Sequence, residues 1–219
     1  LVPPNRNVYK VPLMMSENSY LLFLTEYARN FREIGAIAPD SSACVKGLLK
    51  SVPFETAELI LEYGAASGAV TKEILRRKSR NSTLICFEKN RLFYNRLGKT
   101  LRGKDAIILN DDVYNAANAI APCFNIKNRG VDCIVSTLPC STIEFDRLIQ
   151  DSVLPLLGKD GVFIQYMHTA SVLKGFRLRP ILRRYFTHVD SGFVLLNLPP
   201  VVIYTCRGRR ALALKHRRS

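Results

Sequence analysis

The sequence predicts an α/β protein with a mostly parallel sheet of seven strands that ends in an antiparallel hairpin. Four apolar strand candidates recur at intervals of 26, 24 and 24 residues, and they end near Glu62, Glu88, Asp112 and Ser136. Helix-length segments separate them, which is typical of βαβ units. The last two β-rich runs, residues 188–198 and 201–206, are joined only by two prolines. That connection is too short for a helical crossover, so these runs should pair antiparallel.

A fifth strand is predicted over residues 161–166, after a helix around residues 145–157. Near the start of the chain, Ser16 can cap a helix that runs to about Arg32. Its apolar face carries Tyr20, Phe23, Tyr27 and Phe31.

A second N-terminal helix is predicted from Ser41 or Ser42 through Lys50, before Pro53. We therefore divide the chain into three parts, which are an N-terminal helical segment (1–52), an α/β domain (53–208) and a basic tail (209–219).

The composition restricts the class of protein. The 219 residues suffice for one domain with a substantial core, and an apolar fraction of 47% is that of a globular chain. No apolar run approaches the roughly 18 residues that span a bilayer, and the N-terminus lacks the layout of a signal peptide. The six cysteines include no CxxC pair, which predicts reduced, packed thiols in a cytoplasmic protein and neither zinc nor disulfides.

Positive charge is concentrated at the end of the chain. The formal net charge is +14, and residues 174–219 contain eleven lysines and arginines but a single acid, Asp190. Such a cluster attracts polyanions, either nucleic acid or an anionic membrane surface. A solvated basic face is the simpler alternative.

The most informative local pattern lies in residues 58–71. An apolar strand ends at a turn from Gly64 to Gly68, and a helix follows directly. Glycines in such a turn let backbone N–H groups approach a ligand. The next strand ends in Glu88, and an acid some 20 residues beyond the turn is suited to bind ribose hydroxyls. The alternative for Glu88 is a surface salt bridge, but the pattern as a whole predicts an enzyme with a nucleoside cofactor.

Five parallel strands followed by an antiparallel pair are the layout of class I methyltransferases that use S-adenosylmethionine. Within that class, roughly residues 20–207 resemble the bacterial phospholipid N-methyltransferases, relatives of the rRNA adenine dimethylases. The matching segments are the first helix with residues 35–41 (Gly-Ala-Ile-Ala-Pro-Asp-Ser), the turn 62–71, residues 136–139 (Ser-Thr-Leu-Pro) and the hairpin 197–204. Two departures are Ala66, where the family has glycine, and Cys140, where RNA-directed relatives have an aromatic residue. We expect Ala66 to impose a mild steric penalty on cofactor binding.

The resemblance implies a binding site for S-adenosylmethionine. The residues it assigns to the cofactor are Glu62, Gly64, Ala65, Ala66, Ser67, Gly68, Glu88, Asp111, Asp112 and Ser136. Glu88 would accept the ribose hydroxyls, and Asp112, or Asp111 in its place, would accept from the adenine amino group. A helix-capping role is the alternative for Asp112.

The resemblance also implies where the substrate amine lies. Ser136 and Leu138 would present acceptors to the nitrogen that is methylated. Tyr166 and His168 are candidates to accept its proton or to contact a methylated ammonium, and a backbone-bonded loop histidine is the alternative for His168. Candidate substrate contacts are the lid tyrosines Tyr20 and Tyr27, for which core packing is the alternative, and the basic residues Arg177, Arg179, Arg183 and Arg184.

The sequence thus predicts N-methylation of an aminolipid headgroup such as phosphatidylethanolamine, whose methylation leads to phosphatidylcholine, at the cytoplasmic side of the inner membrane. The predicted partners are the aminolipid and an anionic membrane surface. An rRNA adenine N6-methyltransferase is the first alternative. An inactive methyltransferase fold that serves as a basic binding module is the second.

Overall fold

We describe the protein from a computed structural model, over residues 42–122, 129–140, 143–169, 177–195 and 200–210. Its strands are β1 Leu59–Tyr63, β2 Thr83–Phe87, β3 Ile107–Leu109, β4 Val131–Ser136, β5 Leu157–His168, β6 Phe186–Val194 and β7 Val201–Arg209. Its helices, labelled within these residues, are α1 Ser42–Leu48, α2 Ala69–Arg77, α3 Arg91–Thr100, α4 Ala116–Ile120, α5 Phe145–Arg147 and α6 Leu178–Tyr185. Short 3₁₀ turns span Leu49–Ser51 and Val113–Asn115, and a π-helix spans Leu148–Val153.

The seven strands form one sheet in the order β3-β2-β1-β4-β5-β7-β6. Strands β1 to β5 are parallel, while β7 pairs antiparallel with both β5 and β6. This arrangement confirms the predicted fold class. The order 3-2-1-4-5 also means that the chain reverses direction in the sheet after β3, and α/β sheets bind ligands in the crevice at such a switch point.

Helices cover both faces of the sheet. On one face, α1, α2 and α3 pack against alternate strand residues, and on the other, α4, α5, the π-helix and α6 do the same. Central strand positions are apolar on both faces because both are covered, as is typical of parallel sheets. Among the residues described, the five cysteines are all buried and free.

Helix α1 and the turn after it belong to the core of the α/β domain. Cys44, Leu48 and Leu49 are buried in the same cluster as Ile164 and Ile203 of the sheet. The rest of the predicted N-terminal segment lies outside the described residues, including the helix from Ser16 to Arg32 with Tyr20 and Tyr27. Most of the basic tail, residues 211–219, also lies outside them.

Strand β5 is longer than the sequence predicts. It begins at Leu157, whereas the prediction placed residue 157 in a helix and the strand start at residue 161. Its pairing with β4 shifts register between Val131 and Cys133, and Gly158 and Gly161 lie in the irregular part. A Cβ at either glycine would come within 3 Å of a backbone oxygen, so the irregularity depends on glycine.

The structure also places the preceding helix differently from the prediction. The helical chain consists of α5 and the π-helix and ends at Val153, because the last residues of the predicted helix form a turn into β5. Among the described residues, no helix combines the length and the apolar character needed to cross a bilayer.

The tight contact beside β5 leads to a prediction about stability. Gly130 has a φ of 76°, and a Cβ there would lie 2.5 Å from the Cα of Gly158. Gly103 has nearly the same φ, 75°, but a Cβ at Gly103 would have no heavy atom within 4 Å. Gly103→Ala should therefore lower the free energy of unfolding by about 1–2 kcal/mol, through backbone strain alone. Gly130→Ala should lower it by roughly 2–4 kcal/mol, since crowding adds to that strain.

Urea unfolding of the two variants measures the difference. Equal losses would mean that the strand containing Gly158 moves away without cost, and would contradict the assignment of this contact as rigid.

Candidate functional site

The candidate site lies at the edge of the sheet where the parallel strands end. The loops after β1, β2, β3 and β4 meet there, and the reversed direction of β7 brings its first residue, Val201, beside His168 at the end of β5. Since Val201 also pairs with Val194, the end of β6 lies at this same edge. We call it the carboxyl edge.

The loop after β1, Gly64–Gly68, has left-handed backbone at three positions. The φ angles are 81° at Gly64, 43° at Ala66 and 79° at Gly68. Glycine adopts such angles without cost, but for alanine the left-handed region costs roughly 1–2 kcal/mol. Ala66 is therefore a strained residue at the middle of the loop, and strain of this kind is concentrated at functional sites.

Close packing holds the two glycines in place. A Cβ at Gly64 would lie 3.0 Å from Cδ2 of Leu138, and one at Gly68 would lie 2.6 Å from Cδ2 of Leu97. The N–H of Gly64 donates to the carbonyl of Phe87 at 2.9 Å. The loop is thus attached both to β2 and to the segment after β4.

Glu88 connects this loop to the loop after β2. Its Oε2 accepts from the N–H of Ala66 at 2.8 Å, and its Oε1 accepts from the N–H of Asn90 at 2.8 Å. The side chain is buried, and burial raises its pKa, while the two N–H donors oppose that rise. Each carboxylate oxygen keeps a second lone pair, so Glu88 can still accept from a ligand. Within the described part of the chain, Glu88 makes no salt bridge, which was the alternative role for this residue.

Glu62, on β1, is fully buried beneath the same loop. Its Oε2 accepts from the thiol of Cys86 at 3.2 Å, whereas its Oε1 has no hydrogen-bond partner among the described residues. Burial raises the pKa of Glu62 to about 7, polar contacts with Thr71 and Cys86 oppose the rise, and the nearby Glu88 adds to it. A buried acceptor without a donor is suited to a ligand that carries N–H groups.

The acids after β3 take part in local turns. Oδ1 of Asp112 accepts from the N–H of Tyr114 at 3.1 Å, which is the capping role considered for it. Oδ1 of Asp111 accepts from the N–H of Asp112 and from Nδ2 of Asn115. Nδ2 of Asn110 donates to the carbonyl of Glu88 at 2.8 Å, which fixes this loop against the one before it.

The segment after β4 contacts the loop after β1 directly. The N–H of Thr137 donates to the carbonyl of Tyr63 at 3.0 Å, and its hydroxyl donates to the carbonyl of Gly64 at 2.7 Å. Ser136 is fully buried, and its Oγ accepts from the N–H of Leu138 at 3.4 Å. Ser136 and Leu138 therefore lie beside the loop, as the sequence predicts for neighbouring strand ends.

The end of β5 presents polar groups on both faces of the sheet. Gln165 pairs in register with Ser136, and its side chain lies on the same face. Tyr166 packs into the core on the opposite face, where its hydroxyl lies 3.4 Å from Nε2 of His168. Tyr166 and His168 are thus close to each other, but their side chains are across the sheet from Ser136.

Cys140 is buried on the same face as Gln165. Its thiol donates to the carbonyl of Tyr166 at 3.6 Å, and burial raises its pKa to about 12. The thiol therefore stays protonated and packed. Among the described residues, no group of three or more His, Cys, Asp or Glu side chains is arranged to hold a metal.

The four arginines of the predicted basic surface are exposed but do not form one free cluster. Arg184 makes a 2.7 Å salt bridge with Asp146, and Arg179 donates to the carbonyl of Val189 at 3.3 Å. Helix α6 ends directly before β6, which begins at the opposite edge of the sheet. Arg183 and Arg184, in its last turn, therefore lie near that opposite edge.

Four contacting residues escape prediction from the sequence, namely Asn90, Asn110, Thr137 and Gln165. Asn90 had a readable signal, since it precedes an amphipathic helix and caps it through Oδ1, at 2.9 Å from the N–H of Leu92. The sequence also contains a signal for Gln165, because it is the polar residue within an apolar strand. For Asn110 and Thr137 no local pattern indicates the partners that the fold provides.

The raised pKa of Glu62 predicts a pH dependence of stability. The folded protein holds this proton up to about pH 7, whereas the unfolded chain releases it near the ordinary value of 4.5. Between these values the unfolded state binds fewer protons, so the free energy of unfolding falls as the pH rises, and the loss is complete above pH 7. Glu62→Gln stays neutral at both pH values and should not show this loss. Between pH 5 and pH 8, its free energy of unfolding should therefore fall by roughly 1–3 kcal/mol less than that of the wild type.

Urea unfolding of wild type and Glu62→Gln at the two pH values measures this effect. Glu55→Gln, at an exposed position, is the control and should follow the wild type. Parallel curves for wild type and Glu62→Gln would contradict a raised pKa.

Comparison with known proteins identifies one curated relative and many similar structures. The chain is 29% identical over 194 residues to an ornithine lipid N-methyltransferase from Singulisphaera acidiphila, a match that spans 86% of this chain and 96% of that protein. No family model matches the chain.

The similar structures agree on the fold. A methyltransferase from Geobacter sulfurreducens superimposes with a TM-score of 0.57 at 13% identity and covers 89% of this chain and 92% of its own. An O-methyltransferase from Bacillus cereus, in complex with S-adenosylhomocysteine, gives the same TM-score and identity and covers 89% of this chain and 94% of its own. The protein therefore has the Rossmann-like fold of class I methyltransferases.

Proposed function

We propose that the protein transfers a methyl group from S-adenosylmethionine to the amine of an aminolipid headgroup. The observation that carries this proposal is the strained loop Gly64–Gly68 held by Glu88 at the carboxyl edge. Loops of this kind bind nucleoside cofactors, and the similarity to an ornithine lipid N-methyltransferase over nearly its whole length supports the lipid amine as the acceptor. Ornithine lipid and phosphatidylethanolamine are the two headgroups to test.

The residues present fit the cofactor. Glu88 has lone pairs left for the two ribose hydroxyls, and the orphan oxygen of Glu62 is suited to the cofactor's ammonium group. The loop Gly64–Gly68 would receive the amino-acid end. Asp111 or Asp112 would accept from the adenine amino group.

The bound cofactor would supply an electrophilic methyl group on a sulfonium. The chain's own task is to hold the amine in line and to receive its proton. We propose Ser136 and the carbonyl of Leu138 as acceptors for the amine. His168 and Tyr166 were the candidates from the sequence for the proton acceptor or for a contact with the methylated ammonium, but their side chains lie across the sheet from Ser136.

Contact with a membrane is part of the proposal. Phe193 and Leu195, at the end of β6, are 70% and 75% exposed, and they lie at the same carboxyl edge as the site, with β7 between β6 and β5. Large apolar side chains at a protruding edge can enter the interface of a bilayer. Arg177 directly precedes α6 and Arg179 lies in its first turn, and we propose that both exposed side chains contact lipid phosphates.

The two alternatives have less support. An RNA adenine substrate would need an aromatic partner after Pro139, and the residue there is Cys140, whose side chain is buried. An inactive binding module would be favoured by a collapsed cofactor loop. Ala66 instead adopts the left-handed backbone that a glycine would have, and its N–H reaches Glu88.

Methyl transfer from labelled S-adenosylmethionine tests the proposed function. The enzyme receives total bacterial lipid and ribosomal RNA in parallel, and the label is then partitioned between chloroform and water. We expect label in chloroform. Label only in RNA would replace the substrate but keep the cofactor site, and the absence of both labelling and cofactor binding would favour the inactive module.

Removal of the Glu88 carboxylate should weaken cofactor binding. Glu88→Ala removes the ribose acceptor and releases the N–H of Ala66, so we expect the Kd for S-adenosylmethionine to rise at least about 100-fold, as for loss of charged hydrogen bonds. Isothermal titration calorimetry measures this Kd. Glu55→Ala removes an exposed carboxylate and should leave the Kd unchanged, and an unchanged Kd for Glu88→Ala would remove its ribose role.

Replacement of the exposed apolar residues should weaken membrane binding. The double variant Phe193→Ser, Leu195→Ser should bind anionic liposomes at least about tenfold less tightly, because burial of each side chain contributes about 1.5–3 kcal/mol. Ile107→Ser is the matched control, since Ile107 is 43% exposed but lies at the start of β3, on the opposite edge. Equal liposome binding by all three proteins would exclude this surface from membrane contact.

A further inference from the structure

Gln165 is a buried polar residue whose carboxamide forms hydrogen bonds through its nitrogen but not through its oxygen. The residue is 0% exposed, in the middle of the apolar residues of β5. Its Nε2 donates to the carbonyl of Leu138 at 3.0 Å and to the carbonyl of Tyr166 at 2.6 Å. Its Oε1 has no hydrogen-bond partner among the described residues.

These contacts determine the orientation of the carboxamide. Two of the three partners of Nε2 are carbonyl oxygens, which only accept hydrogen bonds, and the third is Sγ of Cys140. If the carboxamide were turned over, its oxygen would face these two carbonyl oxygens, so the hydrogen bonds favour Nε2 on this side. Nε2 uses both of its hydrogens in this way, and Oε1 is left as a fixed acceptor that points elsewhere. A buried acceptor without a donor lowers the free energy of unfolding by about 1–3 kcal/mol. An apolar residue at this position would not carry that cost.

The position of Gln165 connects it with the methyl-acceptor end of the site. It is the register neighbour of Ser136 across the β4–β5 pair, and both side chains lie on the same face of the sheet. Its hydrogen bond to Leu138 joins it to the backbone carbonyl that we propose as an acceptor for the amine. Gln165 is therefore attached to the segment that contains the proposed acceptors Ser136 and Leu138.

Other polar groups nearby do not supply the missing donor. Sγ of Cys140 lies 3.5 Å from Nε2 of Gln165 and directs its own hydrogen to the carbonyl of Tyr166. Tyr204 is the register partner of Gln165 on β7, but its hydroxyl makes no hydrogen bond to Oε1 of Gln165. Among the described residues Oε1 is therefore left open to a donor from a ligand.

We propose that Oε1 of Gln165 accepts an N–H of the substrate amine and so positions it for methylation. This inference rests on the proposed function. A primary or secondary amine, charged or neutral, carries an N–H that can reach such an acceptor, whereas a quaternary ammonium carries none. Gln165 is thus a positioning residue that favours unmethylated headgroups over the fully methylated product, which would help the product to leave.

Binding of paired lipids tests this role without turnover. The ligands are dihexanoyl phosphatidylethanolamine with dihexanoyl phosphatidylcholine, and a short-chain ornithine lipid with its N-trimethylated form. Each pair differs only in whether the nitrogen carries hydrogens or methyl groups. Calorimetry with S-adenosylhomocysteine present gives the ratio of the two dissociation constants. We expect wild type to bind the amine more tightly than the methylated lipid in at least one pair. In Gln165→Leu, the ratio of the two dissociation constants should be about tenfold smaller.

The ratio separates positioning from a structural effect. Loss of the contacts to Leu138 and Tyr166 would weaken both members of a pair equally, so a lower affinity with an unchanged ratio would overturn the proposed role. Gln150→Leu, which changes an exposed glutamine bonded to Tyr185, is the matched control and should keep the wild-type ratio. Should Gln165→Leu fail to fold, Gln165→Met keeps the length of the side chain and serves for the same comparison.

Failure of the proposed function gives a different result. If wild type binds S-adenosylhomocysteine but neither lipid of either pair, the lipid substrate is wrong and the role of Gln165 falls with it. If wild type prefers the amine and Gln165→Leu keeps that preference in full, only the role of Gln165 is wrong.

Discussion

The hydrogen bonds that Glu88 accepts from Ala66 and Asn90 are the contacts on which the rest of the site depends. They join the loop after β1 to the loop after β2, and Asn110 adds the loop after β3 by donating to the carbonyl of Glu88. Three consecutive loops therefore meet on a single residue. The strained backbone of Ala66 is tolerated in this setting, because its N–H gains a charged partner in the orientation that the left-handed conformation produces.

The carboxyl edge contains two buried acids, and this has a cost in stability. Glu62 and Glu88 are both desolvated, and their proximity raises the pKa of Glu62 further. A protein selected for stability alone would fill these positions with apolar or neutral residues. The two acids, one with an oxygen that has no partner among the described residues, support the proposed cofactor, which carries hydroxyl and N–H groups.

The sequence was sufficient to predict the sheet, its antiparallel end and the position of Glu88, because each depends on local periodicity or on a turn of fixed length. It was insufficient for Thr137 and Gln165, whose partners are set by the register between strands. The register also decides faces, since a shift of one residue moves a side chain across the sheet. Tyr166 was selected from the sequence for its chemistry, yet its neighbour Gln165 is the residue on the face of Ser136.

The position of β7 has a consequence for how the chain folds. The last strand in the described part of the sequence is an interior strand of the sheet, with β5 on one side and β6 on the other. Until β7 has been synthesised, the backbone of β5 presents unpaired N–H and C=O groups along one side, where another chain can add. Completion of the domain must therefore wait until β7 has left the ribosome, and one side of β5 stays open to pairing with other chains until then.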